Sequence, residues 1–200
     1  MASPIDFYFD FSSPYGFFAS LRIDDLAGHY GRTVRWRPML LGAAFKQSGM
    51  KPLLDIPLKS DYVRHDFVRF GRLLGVKFRL PDPFPFAAVA SSRAFYWLDA
   101  QDPALARRFA KAIYRQAYVA GVDTTGVEFV CDLAAGMGVD RAKLKDALAS
   151  PEIKEMLRKE VDAAVARGVF GSPYIVVDGE PFWGADRLQQ VEEWLVTGGW

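Results

Sequence analysis

The chain has 200 residues, half of them hydrophobic, and 25 basic against 24 acidic side chains leave a net charge of +1. A chain of this length buries roughly 70% of its unfolded surface, so it needs neither a disulfide nor a metal for stability. The near-zero charge argues against nucleic acid or a membrane surface as a partner, since both require a concentrated basic field.

The opening MASPIDFYF has neither the basic region nor the apolar core of a secretory signal. IDFYFDF then alternates, with Ile5, Phe7, Phe9 and Phe11 on one side and Asp6, Tyr8 and Asp10 on the other. That period of two predicts a strand. SSPYGFFASLRIDDLAGHYG reads as one helix, entered through a Ser before Pro14 and left at Gly31. TVRWRPMLL is a second strand, stopped at Pro38. A β-α-β opening with a short right-handed crossover implies parallel strands.

From about residue 40 to 168 helical patterns take over. Ser60 is the expected cap of DYVRHDFVRFGRLLG, which ends near Gly75, and PDPFPF is too proline-rich for a helix or a strand. Helices are expected over 87–99, 103–120, 125–136, 140–149 and 151–167. The last of these is entered through SPEIKEM, with Ser150 at the cap and Pro151 in the first turn. Cys131, the one cysteine, lies on a helix face in EFVCDLAA and reads as a buried structural thiol. Strands return in SPYIVVD and EPFWG, joined by Asp178-Gly179, a strong hairpin signal. In ADRLQQVEEWLV, Leu188, Val191, Trp194 and Leu195 share one helix face. The order predicts a sheet domain, residues 1–38 with 169–200, interrupted by a helical insertion over 39–168. No window reaches the ~18–20 apolar residues of a membrane span, so a soluble, cytoplasmic protein is expected.

A Ser-His-Asp hydrolase needs a histidine as base, and the chain has only His29 and His65. His29 lies at the far end of the first helix, roughly 20 Å from Ser13 at 1.5 Å per residue. His65 sits beside Asp66 on a helix, where adjacent positions do not face each other. Two scattered histidines and one cysteine have no metal-ligand spacing. GVFGSPYIVVDG opens a strand, whereas a dinucleotide loop opens a helix. Three features remain: Ser13-Pro14, Ser172-Pro173 and Gly184-Ala185-Asp186. Read alone, Ser13 is an N-cap worth about 1 kcal/mol. Pro173 is a strand-opening proline, and Asp186 is a first-turn acid.

Together, FYFDFSSPYGFFA, WRPMLLGAAFKQSGMKP, PLKSDYVRHD and GVFGSPYIVVDGEPFWGADR, in that order, resemble the DsbA-type thioredoxin-like fold. Within it, the likeness is to kappa-class glutathione transferases and their relatives, the 2-hydroxychromene-2-carboxylate isomerases. The resemblance implies a thioredoxin-like βαβ…ββα sheet domain with a large all-helical insertion. It places Ser13-Pro14-Tyr15-Gly16 where dithiol relatives carry Cys-Pro-x-Cys, so internal disulfide exchange is absent there. It implies glutathione as cofactor, its thiolate held by Ser13 and adding reversibly to an aromatic substrate, and it makes Ser13 catalytic.

The resemblance further implies that Ser172-Pro173 is a cis pair facing the cofactor. Ala185 and Asp186 would take its γ-glutamyl end, and Lys59 and Asp66 would make polar contacts, Lys59 with the glycyl carboxylate. Met50 stands where the kappa pattern prefers Asn, and Ala185 where Ser or Asn is usual. Tyr15, Phe84 and Trp183 are expected to wall the substrate, and a homodimer is expected. A kappa-like transferase would use the same apparatus. A cysteine-free thioredoxin-like fold is also compatible with a non-catalytic module that binds peptides or thiols.

Overall fold

The computed structural model of the chain describes residues 3–200. β1 (Ile5–Phe9), β2 (Val34–Pro38), β3 (Tyr174–Val177) and β4 (Glu180–Trp183) form one sheet in the order β2-β1-β3-β4. β1 and β2 run parallel, as the β-α-β opening predicts, and β3 is antiparallel to both β1 and β4. Asp178 and Gly179 turn the β3–β4 hairpin at φ 52° and 96°, the backbone that favours Asp-Gly in two-residue turns.

Alternation along β1 puts Phe7 and Phe9 against Trp36, with ring centroids 5.1 and 5.3 Å away. The other face is not solvated: Tyr8 is buried with Met39, Ala44, Ala164 and Tyr174 in a second apolar cluster. Both faces of the sheet are therefore covered.

The stretch expected to be one helix is two, α1 (Pro14–Ser20) and α2 (Ile23–His29). Ser20 Oγ donates to the Phe17 carbonyl at 2.6 Å, and the Leu21 and Arg22 amides reach back only to Phe18 and Ala19. A side chain competing for a helix carbonyl loosens the turn around it.

The insertion contains α3 (Leu41–Ser48), α4 (Lys59–Leu73), α5 (Val89–Asp99), α6 (Pro103–Arg115), α7 (Val127–Ala135), α8 (Arg141–Ala149) and α9 (Pro151–Ala166). Ser150 caps α9 as expected, its Oγ accepting from the Ile153 amide at 3.3 Å. Ser60 is not the cap of α4. Leu58, at φ 67°, precedes the helix, and the Ser60 amide donates to the Ile56 carbonyl at 3.2 Å. That bond draws Lys59 and Ser60 into the first turn. The helix expected over 103–120 ends its α-helical part at Arg115, and Gln116–Ala120 form a wider π turn. There the Tyr118 hydroxyl donates to the Phe11 carbonyl at 3.1 Å.

The final helix opens with a 3₁₀ turn at Ala185–Arg187 and continues as α10 (Leu188–Thr197). Sheet and insertion share one continuous apolar core, where Phe9 meets Phe95 of α5 and Tyr114 of α6 at 6.0 and 5.7 Å. Cys131 is buried in α7, and burial pushes its thiol up. No helix among the described residues is long and apolar enough to cross a membrane.

Candidate active site

After β1 the chain turns, and the Ser13 amide donates to the Asp10 carbonyl at 2.9 Å. Ser13 is extended and Pro14 begins α1, so the Ser13 side chain is free to cap: its Oγ accepts from the Gly16 amide at 3.0 Å. Its own proton goes across the molecule, to the Ser172 carbonyl at 2.8 Å. The Ser172-Pro173 bond is cis, and Ser172 Oγ accepts from the Asp10 amide at 2.9 Å. Two loops 159 residues apart are thereby joined in both directions. Gly16 makes this approach feasible, because a Cβ there would lie 2.6 Å from Tyr114 Oη and 2.8 Å from Ser172 Oγ.

Asp10, which alternation assigned to the polar side of a strand, is buried at the strand's end. Its carboxylate accepts from the Ser12 amide at 2.8 Å and from the Leu41 amide, at the start of α3, at 2.7 Å. Burial pushes this carboxyl above the ordinary value, and the Leu41 and Ser12 bonds oppose that rise. Sequence reasoning missed Asp10. Its only sequence signal is its place between a strand end and a Ser-Pro turn.

Beside Ser13 opens a cleft of about 1030 Å³. Asp10, Ser13, Ser172, Ala185 and Asp186 line it from the sheet side, with Leu41, Met50, Leu53, Phe84 and Phe86 from the insertion. Tyr15, Asp66 and Trp183 also reach it. Pro173 is buried directly behind Ser172 and does not line the cleft. Lys59 is not brought to it either; it is exposed at the start of α4.

The cations at the cleft are Lys51, Arg69 and Arg187, none of which the sequence reading selected. Arg69 pairs with Asp66 and bonds Tyr62 Oη at 3.0 Å, while Arg187 lies 3.6 Å from Asp186. Lys51 has no carboxylate partner among the described residues. The Asp66 carboxylate is committed on both oxygens, to Arg69 and to the Tyr15 hydroxyl at 2.6 Å. Burial, then the bond to Asp66, pushes the Tyr15 phenol well above its ordinary value, so it stays protonated. Asp66 thus lines the cleft and also holds Tyr15 and Arg69 there. Among the described residues, no three His, Cys, Asp or Glu side chains stand together to hold a metal ion.

A mixed sheet with a cis-proline loop leading into its inner strand β3, a capped first helix and an inserted helical bundle is an architecture shared with known proteins. The profile of the DSBA-like thioredoxin domain matches residues 4–196. The chain belongs to this family. Within the DSBA-like thioredoxin proteins, it is 30% identical over 198 residues to a 2-hydroxychromene-2-carboxylate isomerase of Sphingobium xenophagum, covering 98% of this chain and 100% of that one. It is 25% identical over 204 residues to glutathione S-transferase kappa 2 of Caenorhabditis elegans, covering 96% and 92%. A solved 2-hydroxychromene-2-carboxylate isomerase structure superposes with a TM-score of 0.86 at 27% identity, covering 96% and 93%. These relatives are isomerases and transferases, which supports an enzyme. As a DSBA-like thioredoxin protein it departs from the dithiol pattern at Ser13 and Gly16, and its one cysteine lies far along the chain in α7.

Proposed function

We propose that the protein is a glutathione-dependent isomerase of the 2-hydroxychromene-2-carboxylate isomerase kind, acting on a small aromatic substrate. The observation that carries this reading is the buried Ser13 hydroxyl, set at the cleft against the Ser172 carbonyl at 2.8 Å in a chain with no cysteine pair.

The residues present fit glutathione. A cleft of about 1030 Å³ lies at the upper end of small-molecule sites, roughly 300–1,000 Å³, so a tripeptide and an aromatic ring have room together. Ser13 would take the sulfur end, and the backbone before Pro173 the peptide. Ala185 and Asp186 would take the γ-glutamyl end, where the exposed Asp186 carboxylate suits an ammonium. Bound glutathione supplies a thiol nucleophile that the chain itself does not offer at this position.

The chain's own contribution is orientation, a proton and dryness. The Gly16 amide fixes Ser13 Oγ, and its single hydroxyl proton, donated in the structure to the Ser172 carbonyl, would turn from that carbonyl to the sulfur when glutathione binds. A hydroxyl donor favours the ionised form of a thiol that otherwise titrates near ~8.5. Asp66 holds Tyr15, whose ring lies 5.1 Å from Phe67 and 5.8 Å from Phe70. With Phe84 and Trp183, Tyr15 forms the apolar surface that excludes water and receives an aromatic ring. A cytoplasmic setting suits this reading, since a glutathione pool is maintained there. A homodimer is part of it, to be measured by sedimentation.

The deciding experiment incubates protein, glutathione and a chromene carboxylate. Loss of substrate absorbance with glutathione fully recovered marks the isomerase. Accumulation of a stable conjugate would replace it with the second reading, a kappa-like transferase, which the similarity to the Caenorhabditis elegans protein favours. Calorimetry showing no heat with millimolar glutathione would defeat both and leave a non-catalytic binding module.

A further inference from the structure

Asp10 carries no role in the reading above, yet every polar group it owns is used. Its amide donates to Ser172 Oγ at 2.9 Å, and its carbonyl accepts from the Ser13 amide at 2.9 Å and the Tyr114 hydroxyl at 2.9 Å. Its two carboxylate oxygens accept from the Ser12 and Leu41 amides at 2.8 and 2.7 Å. These contacts converge on the turn that carries Ser13, the cis-proline loop and the first turn of α3, whose Leu41 and Phe45 line the cleft. α3 has no side-chain cap of its own: Leu40 stands at its N-cap. An orphan first-turn amide is therefore satisfied from another element, 31 residues away.

We propose that Asp10 is a positioning residue for Ser13: its carboxylate clamps the Ser12–Ser13 turn to the N-terminus of α3, so that catalytic hydroxyl and cleft wall keep one geometry. This rests on the isomerase reading of the site. A buried carboxylate is a poor choice for stability alone. Burial raises its folded-state pKa, so ionisation costs stability at neutral pH, and that cost is relieved as pH falls through the raised value. The titratable side chains facing it from α6 and the π turn are Tyr114 and Tyr118, both raised by burial and neutral at pH 8. Asp186 and Arg187 share the cleft.

The test is Asp10→Asn, which keeps size and one acceptor. Expected at pH 8 are turnover down about tenfold and an unfolding midpoint equal to or above that of the unaltered protein. Amide exchange should be faster at Ser12 or Leu41. The midpoint difference should narrow on acidification. Leu41→Pro removes the donor from the other side of the clamp. Proline is tolerated at the first helical position, and Leu40 is already extended at φ −112°, ψ 109°. The double variant should lose little more turnover than the worse single variant.

Unchanged amide exchange in Asp10→Asn overturns the clamp. So does turnover that falls only in proportion to unfolded protein, or two losses that simply multiply. If the unaltered protein neither binds glutathione nor isomerises the chromene, the functional reading fails by itself, and exchange at Ser12 and Leu41 still decides the clamp.

Discussion

The two walls of the cleft are built by different physics. On the sheet side, Ser13, Asp10 and Ser172 are each at most 9% exposed, and each is tied to the others through backbone groups. On the insertion side, Met50, Leu53 and Phe84 are half-buried side chains, and nearby Leu58 is 96% exposed. A hydrogen-bonded wall of short side chains has essentially one arrangement, because an unpaired buried polar group costs about 1–3 kcal/mol. A wall of apolar side chains tolerates exchange for others of similar volume. Chemistry is thus assigned to the fixed wall, and substrate choice to the adaptable one.

The sharpest way to break that assignment is Ser13→Ala. Turnover should fall about 100-fold, or ~2.7 kcal/mol in the barrier, the scale for losing one aimed donor. Stability should fall by about 2–4 kcal/mol, since the cap is lost and the buried Ser172 carbonyl loses its donor. Steady-state kinetics per folded molecule, beside thermal unfolding, separates the two; unchanged turnover of the folded variant would make Ser13 a structural link and nothing more. Gly16→Ala should come next. Its Cβ, 2.6 Å from Tyr114 Oη, would force the joined loops apart at about 2 kcal/mol, the usual scale of overpacking, read as a lower urea midpoint.

What the sequence shows of these walls follows the range of the interactions. The Ser13 cap, the Ser150 cap and the Asp178-Gly179 turn were legible because each is settled within four residues. The parallel β1–β2 pair was legible because a short crossover leaves one hand. Asp10 was not, since its burial depends on Leu41 and on covering both faces of the sheet. Tyr118 was not, since its π turn serves a carbonyl 107 residues away. Asp66 was selected for a ligand contact and lines the cleft; its bonds to Tyr15 and Arg69 were not legible, since they depend on how α4 packs on α1.

Tyr15 joins the two walls, because it sits on α1 while its hydroxyl is held by α4. Tyr15→Phe should cost about 1.5 kcal/mol of stability, the low end for a bond to a charged acceptor because the pair is only partly buried. The effect on kinetics should appear mainly as a KM for the aromatic substrate raised about threefold, with turnover little changed. A loss confined to turnover would instead place Tyr15 with the fixed wall.

The smallest effect separates two lysines. Lys59 was expected to meet the glycyl carboxylate of glutathione, but it is exposed outside the cleft, whereas Lys51 lines it without a carboxylate partner among the described residues. A solvated lysine facing a carboxylate contributes little, so Lys51→Met should raise the KM for glutathione only about threefold. Added salt should shrink that difference, because exposed pairs are screened. Lys59→Met should change neither quantity. Glutathione with its glycyl carboxylate esterified supplies the control: the ester should bind the unaltered protein about as weakly as free glutathione binds the Lys51→Met variant. Equal responses to both lysine substitutions would mean that the insertion wall offers only a diffuse positive field, and that specificity for the tripeptide resides wholly on the sheet side.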